Sequence, residues 1–240
     1  VDYAIPGFYE VVDPRTAIEI VTLNFIHCLL KGLNKAPRLS NTKKNGALGV
    51  EDVDVLISPM GCLGEPHEAC LERGIPIVGC EPSCLAMLVD EYTVLVPGPE
   101  SQAVAKMSML IEKFLVSEFT AGRLNLPLDE SPHRVLFHGH CQQKALFGTT
   151  DTLAMLEMIP NCQLEQIESG CCGMAGSFGY EQEHYDLSIQ LAEMSLAPAV
   201  RAAPPDTIIC ASGTSCRQQI EHTTGRLALH PIEVLAAALV

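Results

Sequence analysis

Four of the chain's eleven cysteines set the chemical question by their spacing. Cys141 stands in HGHCQQK, Cys171 and Cys172 in SGCCGMAG, and Cys216 in GTSCRQQ. Neighbouring residues on a strand point to opposite faces. A Cys-Cys pair therefore serves one site only where the backbone turns sharply, and Gly170 and Gly173 are expected to supply that turn. Cys141 and Cys216 each follow a predicted strand and open a predicted helix, where the positive end of the helix dipole favours a thiolate. Several thiolates brought together are the usual holders of an iron–sulfur cluster. The paired Cys-x-x-Cys knuckles of a structural zinc site do not occur, and neither does the ferredoxin run of cysteines. The spacing thus points to a cluster held by Cys141, Cys171, Cys172 and Cys216. The plain alternative is a pair of buried structural cysteines in a glycine turn.

The remaining cysteines carry weaker expectations. Cys210, six residues before Cys216, is a further candidate ligand reached only by an unusual path. Cys62, Cys80 and Cys84 read as a partial second site, zinc or a redox-active thiol pair, and Cys84 is kept as a candidate metal ligand; burial as small apolar residues is the competing reading. Cys28, Cys70 and Cys162 fall on predicted helices or at a helix end and read as core or surface. His138 and His140 flank Cys141, where one of them bonds a cluster sulfur, relays a proton, or simply meets a backbone carbonyl. His184 and His222 fall on exposed helix faces. Gly173, Gly176 and Gly179 have the wrong spacing for a dinucleotide loop, and Ser215 has no identifiable base for hydrolysis.

The elements that must position these residues alternate. Strands are predicted over 53–59, 75–78, 134–137, 164–167, 207–209 and 227–229. Helices are predicted from about 85, over 101–119, 142–156, 181–200, from 215, and over 232–239. Strands alternating with helices argue for α/β architecture with parallel sheets flanked by helices. Function in such sheets collects beyond the carboxyl ends of the strands, and there the second half carries Cys141, Cys171, Cys172, Cys210, Cys216 and His230. IVGCEPSCLAML and IICASGTSCRQQI share a layout of strand, small turn residues and Ser-Cys at a helix start. The expected organisation is two related lobes, residues 1–120 as a degenerate scaffold lobe and 121–240 as the cysteine-rich lobe. AGRLNLPLDESPH forms the linker between them.

With 48% hydrophobic residues the chain has ample core, and a formal charge of −14 leaves no basic stripe for nucleic acid. No apolar run reaches the ~18 residues that span a bilayer, and the start lacks the pattern of a signal peptide. The expected location is cytoplasmic, with peripheral membrane association open. The absence of an initiator Met suggests a fragment of something longer.

HGHCQQKALFG, SGCCGMAGSFGYE, GTSCRQQI and ALHPIEVLAAAL resemble the cysteine-rich CCG domain. That domain occurs in the cysteine-rich component of heterodisulfide reductase, in iron–sulfur components of glycolate oxidase and anaerobic glycerol-3-phosphate dehydrogenase, and in lactate-utilisation proteins. GTSCR and ALHP are most similar to the carboxyl end of FAD-linked 2-hydroxy-acid oxidases. The resemblance covers about Cys80 to Val240 and implies an iron–sulfur electron-transfer component, with a cluster of the 4Fe-4S kind, cubane or non-cubane. It also implies FAD on a partner flavoprotein or on a region outside this sequence, and a quinone or carrier protein as electron acceptor. A heterodisulfide reductase-like catalyst and a zinc-binding or cluster-free assembly module are the alternatives. The motif departs from its fullest form, which ends in Cys-x-x-Cys; position 213 here is Gly. Residues 1–78, through LNFIHCLLKGLNKAPR and DVDVLISPMGCLGEPHEACLERGIPI, resemble more weakly a family of unknown function.

Overall fold

Short strands alternate with helices along the described residues. The computed structural model describes residues 72–240 together with the two-residue strand β1, Leu56–Ile57, and all of these belong to one compact unit. The first sheet joins β1, β2 (Ile77–Gly79) and β3 (Ser108–Leu110) in that order, all parallel, with Ile77 opposite Ser108 and Gly79 opposite Leu110. The second joins β4 (His133–His138), β5 (Cys162–Gln166), β6 (Ile208–Ala211) and β7 (Ala228–Leu229) in the order β5-β4-β6-β7, again all parallel. The α/β expectation is met, with one parallel sheet lying before residue 120 and the other after it.

Around the first sheet lie α1 (Pro82–Ala86), running through a π-helical turn at Met87–Glu91 into α2 (Tyr92–Leu95), then α3 (Pro99–Met107) and α4 (Ile111–Thr120). The second sheet carries a π-helical turn at Gln143–Phe147, then α5 (Thr150–Leu156), α6 (Tyr185–Glu193), α7 (Leu196–Ala202), α8 (Thr214–Thr224) and α9 (Pro231–Ala237). The side-chain period of β4 divides the core in two. Leu136 packs with Leu196, Val200, Ile209 and Ile220 on one face. Val135 and Phe137 pack with Met155, Leu156, Val234 and Leu235 on the other. Phe137 is completely buried, and its truncation to Ala is expected to cost about 3–5 kcal/mol.

The structure corrects several boundaries. The single helix expected over 101–119 is broken by β3. Met107 to Ile111 is an apolar run that fits a buried strand as well as a helix, and pairing with Ile77–Gly79 decides it. The helix expected over 181–200 is two, parted at Met194–Ser195, where Ser195 leaves helical geometry at φ −156°. The helix expected over 142–156 is interrupted at Gly148, whose φ of 77° belongs to the left-handed region. Cys162 opens strand β5 rather than lying at a helix end.

Candidate thiol site

β4 and β6 are the central strands of the second sheet, and His138 and Ala211 are partners in register at their carboxyl ends. The chain leaving β4 turns through Gly139 and His140 into a helical turn that begins at Cys141. The chain leaving β5 runs without regular structure through Ser169, Gly170, Cys171, Cys172 and Gly173. The chain leaving β6 passes Ser212 and Gly213 and enters α8, in which Cys216 is the third residue.

These three crossings bring the four cysteines together. Cys141 lies within hydrogen-bonding reach of Cys171, Cys171 of Cys172, and Cys172 of Cys216. These contacts, together with burial, move the four thiols away from the ordinary thiol pKa. The Cys171 thiol is pulled far down by the Cys141 and Cys172 thiols that donate to it, helped by the backbone amides of Gly173 and Ala175; the Gly173 N–H donates to Sγ at 3.4 Å. Cys216 is pulled well down by the Cys172 thiol and then by the His138 imidazole. Cys141 and Cys172, the donors, are pushed up by the same contacts and by burial. The helix-start argument alone placed Cys141 and Cys216 on the same side of this division. Contact with a neighbouring thiolate outweighs it at Cys141.

The support around the thiols is polar and specific. His138 is fully buried, its Nδ1 on Ser169 Oγ at 2.8 Å and its imidazole against Cys216. Lys144 Nζ donates to the carbonyl oxygens of Ser169 and, at 3.0 Å, of Gly170. Gln143, buried, accepts from the His140 N–H and donates to Thr152 Oγ1 at 2.7 Å. Arg217 donates to the carbonyls of Ala211 (3.0 Å) and Ser212 (2.9 Å), bracing the turn before Cys216. The Glu81 carboxylate, from the turn after β2, accepts from Thr214 N at 2.8 Å and Thr214 Oγ1 at 2.9 Å at the start of α8.

Of the two glycines expected to make the Cys-Cys turn, only Gly173 is required. Its φ is 96° and a Cβ there would stand 2.2 Å from the Ser188 carbonyl oxygen. Gly170 has no positive φ and a Cβ there would meet open space. Gly213 is required for a different reason: a Cβ would lie 2.3 Å from His140 Cδ2 and 3.2 Å from Cys216 Sγ.

The other candidates lie apart. Cys210 is fully buried among Val135, Phe137 and Met155, on the face of the sheet opposite Cys216, and burial pushes its thiol up. The strand period sends residues 210 and 211 to different faces, so it stands off the thiol group. Cys84, half-buried on α1, is pushed up by burial and Glu81, and Cys80 by burial and Glu112. Cys28, Cys62 and Cys70 lie outside the described residues. His230 caps α9, accepting from Ile232 N, and its Nε2 meets the Cys80 carbonyl oxygen at 2.9 Å; burial lowers its pKa. His222 pairs with Tyr185 Oη at 2.8 Å and His184 with Glu181 at 2.7 Å. Glu112, near the start of α4, is completely buried with both carboxylate oxygens unpartnered, and burial together with Asp151 raises its pKa to about 7. Lys144, Ser169, Gln143 and Glu81 were not singled out by sequence. Lys144 and Gln143 do stand in the same HGHCQQK string as Cys141, and a polar residue one turn beyond a ligand is the signal available for them.

The four thiols are donors of the kind an iron–sulfur cluster takes. Among the described residues no group of three or more His, Cys, Asp or Glu is arranged to hold a metal ion. An iron–sulfur cluster binds one thiolate at each of several metal corners, and the contacting series of four thiols supplies side chains of that type. A cleft of about 580 Å3 lies between the loop that follows Cys172 (Met174, Gly179, Tyr180) and the helix that carries Cys216 (Gln218, Gln219, His222), with none of the four thiols in its lining.

Comparison with known proteins places dehydrogenase components among the chain's relatives. It is 31% identical over 173 residues to a subunit of the anaerobic glycerol-3-phosphate dehydrogenase of Escherichia coli (strain K12), covering 72% of this chain and 43% of that protein. It is 29% identical over 163 residues to D-2-hydroxyglutarate dehydrogenase of the same strain, covering 68% of this chain and 15% of that protein. The chain thus spans under half the length of either. The family model that matches, over residues 4–106, is "Protein of unknown function (DUF3326)", and it runs past the boundary expected at 78. An uncharacterized lipoprotein of Synechococcus sp. is 39% identical over 72 residues, 28% of this chain and 20% of that protein. The DUF3326 span and the 173-residue span together exceed the chain, so they overlap. No described helix is long and apolar enough to cross a membrane.

Proposed function

We propose that this chain is the iron–sulfur electron-transfer component of a dehydrogenase, with Cys141, Cys171, Cys172 and Cys216 holding a 4Fe-4S-type cluster. The carrying observation is the convergence of four thiols from three strand-to-helix crossings, with Cys171 and Cys216 held toward the thiolate. Similarity to one subunit of an anaerobic glycerol-3-phosphate dehydrogenase and to a D-2-hydroxyglutarate dehydrogenase supports the oxidoreductase setting. When bound, such a cluster supplies single-electron exchange, and the hydride chemistry on a small hydroxy acid belongs to a flavoprotein partner.

The chain's own residues prepare the place. Gly173 lets the backbone turn so that consecutive cysteines face one site. His138 and Lys144 fix Ser169, immediately before that turn. Buried Cys172, Cys216 and His138 exclude water from the inner side, while half-exposed Cys141 and Cys171 face outward. The partly exposed side of the site, at Cys141 and Cys171, gives a donor or an acceptor, a quinone or a carrier protein, its approach.

Iron, acid-labile sulfide and zinc per chain on anaerobically purified protein, with EPR before and after mild oxidation, test the reading. About four irons with matching sulfide are expected. Zinc at about one per chain, without iron or visible absorbance, overturns it.

A further inference from the structure

Lys144 makes an uncommon choice of partners. Its ammonium sits over two successive carbonyl oxygens, Ser169 and Gly170, and among the described residues no carboxylate pairs with it. Its stem runs along Gly139, where an added Cβ would come within 3.3 Å of Lys144 Cγ. The side chain therefore spans from the turn that carries Cys141, three residues back, to the peptide groups directly before Cys171. Ser169 is held a second time, through Oγ, by His138. Carbonyl-to-ammonium bonds are charge-assisted and stronger than neutral ones. Two of them on consecutive peptides fix the direction in which the chain enters the Cys171–Cys172 turn.

We infer that Lys144 is a positioning residue for the thiol site: it clamps the Ser169–Gly170 segment so that Cys171 meets Cys141, and its charge, at the carbonyl of the residue before Cys171, eases electron arrival there. The clamp stands on geometry alone, whereas the charge effect rests on the cluster reading above. An added electron makes a thiolate-bound centre more negative, and a cation fixed on the Gly170 carbonyl oxygen, one residue before Cys171, stabilises that state. The potential is then higher with Lys144 than without it.

Three variants of the full chain separate the two effects. Lys144→Met keeps the stem and removes charge and donors, Lys144→Gln restores a neutral donor, and Lys144→Arg restores both. On iron-free protein, alkylation of Cys171 by iodoacetamide, followed by mass spectrometry, is expected to run about tenfold faster in Lys144→Met. Lys144→Arg returns it toward the parent rate, and Lys144→Gln falls between. On iron-loaded protein, an EPR-monitored titration is expected to give a more negative midpoint potential for Lys144→Met and Lys144→Gln, and a near-parental one for Lys144→Arg. An unchanged alkylation rate in Lys144→Met overturns the clamp. Unchanged potentials at normal iron content overturn the charge effect. A parent protein without iron overturns the proposed function and the charge effect together, while the alkylation series still decides the clamp.

Discussion

The turn after β2, GCEPSC, and the turn after β6, CASGTSC, share a layout, and each delivers a cysteine into the first turn of a helix. Their surroundings differ. Cys216 meets Cys172 and His138, which draw its thiol down. Cys84 meets Glu81, which with burial pushes its thiol up, and Cys80 is pushed up by burial and Glu112. A strand, a small turn and Ser-Cys at a helix start make a place for a thiol. The neighbours, an imidazole and a second thiol in one turn and carboxylates in the other, decide which way each thiol's pKa is moved. Glu81 makes the difference instructive, because the carboxylate that discourages a thiolate in the first turn spends its other oxygen on the start of the helix that holds Cys216.

The sharpest way to break the comparison is to remove one thiol from each turn. Cys216→Ser is expected to lose at least about nine-tenths of bound iron and sulfide, and Cys84→Ser to keep nearly all of it. Equal losses in metal analysis would erase the distinction between the turns.

Next in size is a pair of glycines. Gly213→Ala drives a Cβ into the buried His140 ring at 2.3 Å, whereas Gly79→Ala meets only the Leu85 Cδ1 methyl at 2.8 Å, the tip of a side chain that can rotate. Urea midpoints are expected to report about 3 kcal/mol for the first and about 1 kcal/mol for the second.

Glu112, buried beneath the first turn, sharpens it through pH. A carboxyl whose pKa rises from the unfolded 4.5 to about 7 on folding holds a proton in the native state that the unfolded chain has lost. Its contribution to stability is therefore greatest below pH 4.5 and declines as pH rises to 7, by about 3 kcal/mol at most. Glu112→Gln should flatten that decline in denaturation curves measured between pH 5 and 8; a parallel decline in both proteins would remove Glu112 as its source.

The smallest expected effect is at the link between the turns. Glu81→Ala leaves the first N–H of α8 without its partner at a cost of about 1 kcal/mol. Hydrogen exchange at Thr214 and Ser215 should speed up while β4 amides stay protected; unchanged exchange in α8 would mean that Glu81 does not hold the helix.

Local features were legible in the sequence to different degrees. The apolar run at Val135–Phe137, the glycine-flanked Cys-Cys pair and the cysteines beyond strand ends all announce themselves within a few residues, and the α/β alternation follows from them. Met107–Ile111 did not, because its apolar spacing suits helix and strand alike until Ile77–Gly79 pairs with it. Cys210 kept a ligand's candidacy in sequence because it is near Cys216, and lost its place beside it because adjacent strand residues face opposite ways. Lys144 lies 25 residues from Ser169 and Glu81 lies 133 from Thr214. Contacts of that reach arise from tertiary packing, and no local pattern carries them.

The order in which the chain leaves the ribosome matters for this site. Cys141, Cys171 and Cys172 emerge well before β6, the central strand that pairs with β4 and leads to Cys216. Until β6 is in place, the first three cysteines have neither Cys216 nor the Gly213–His140 contact to close around them. A cluster of the proposed kind delivered at that stage would lack one of its four proposed holders. On the proposed function, loading belongs after β6 has paired, and a chain truncated before residue 208 should carry the motif's most recognisable residues while remaining unable to retain iron.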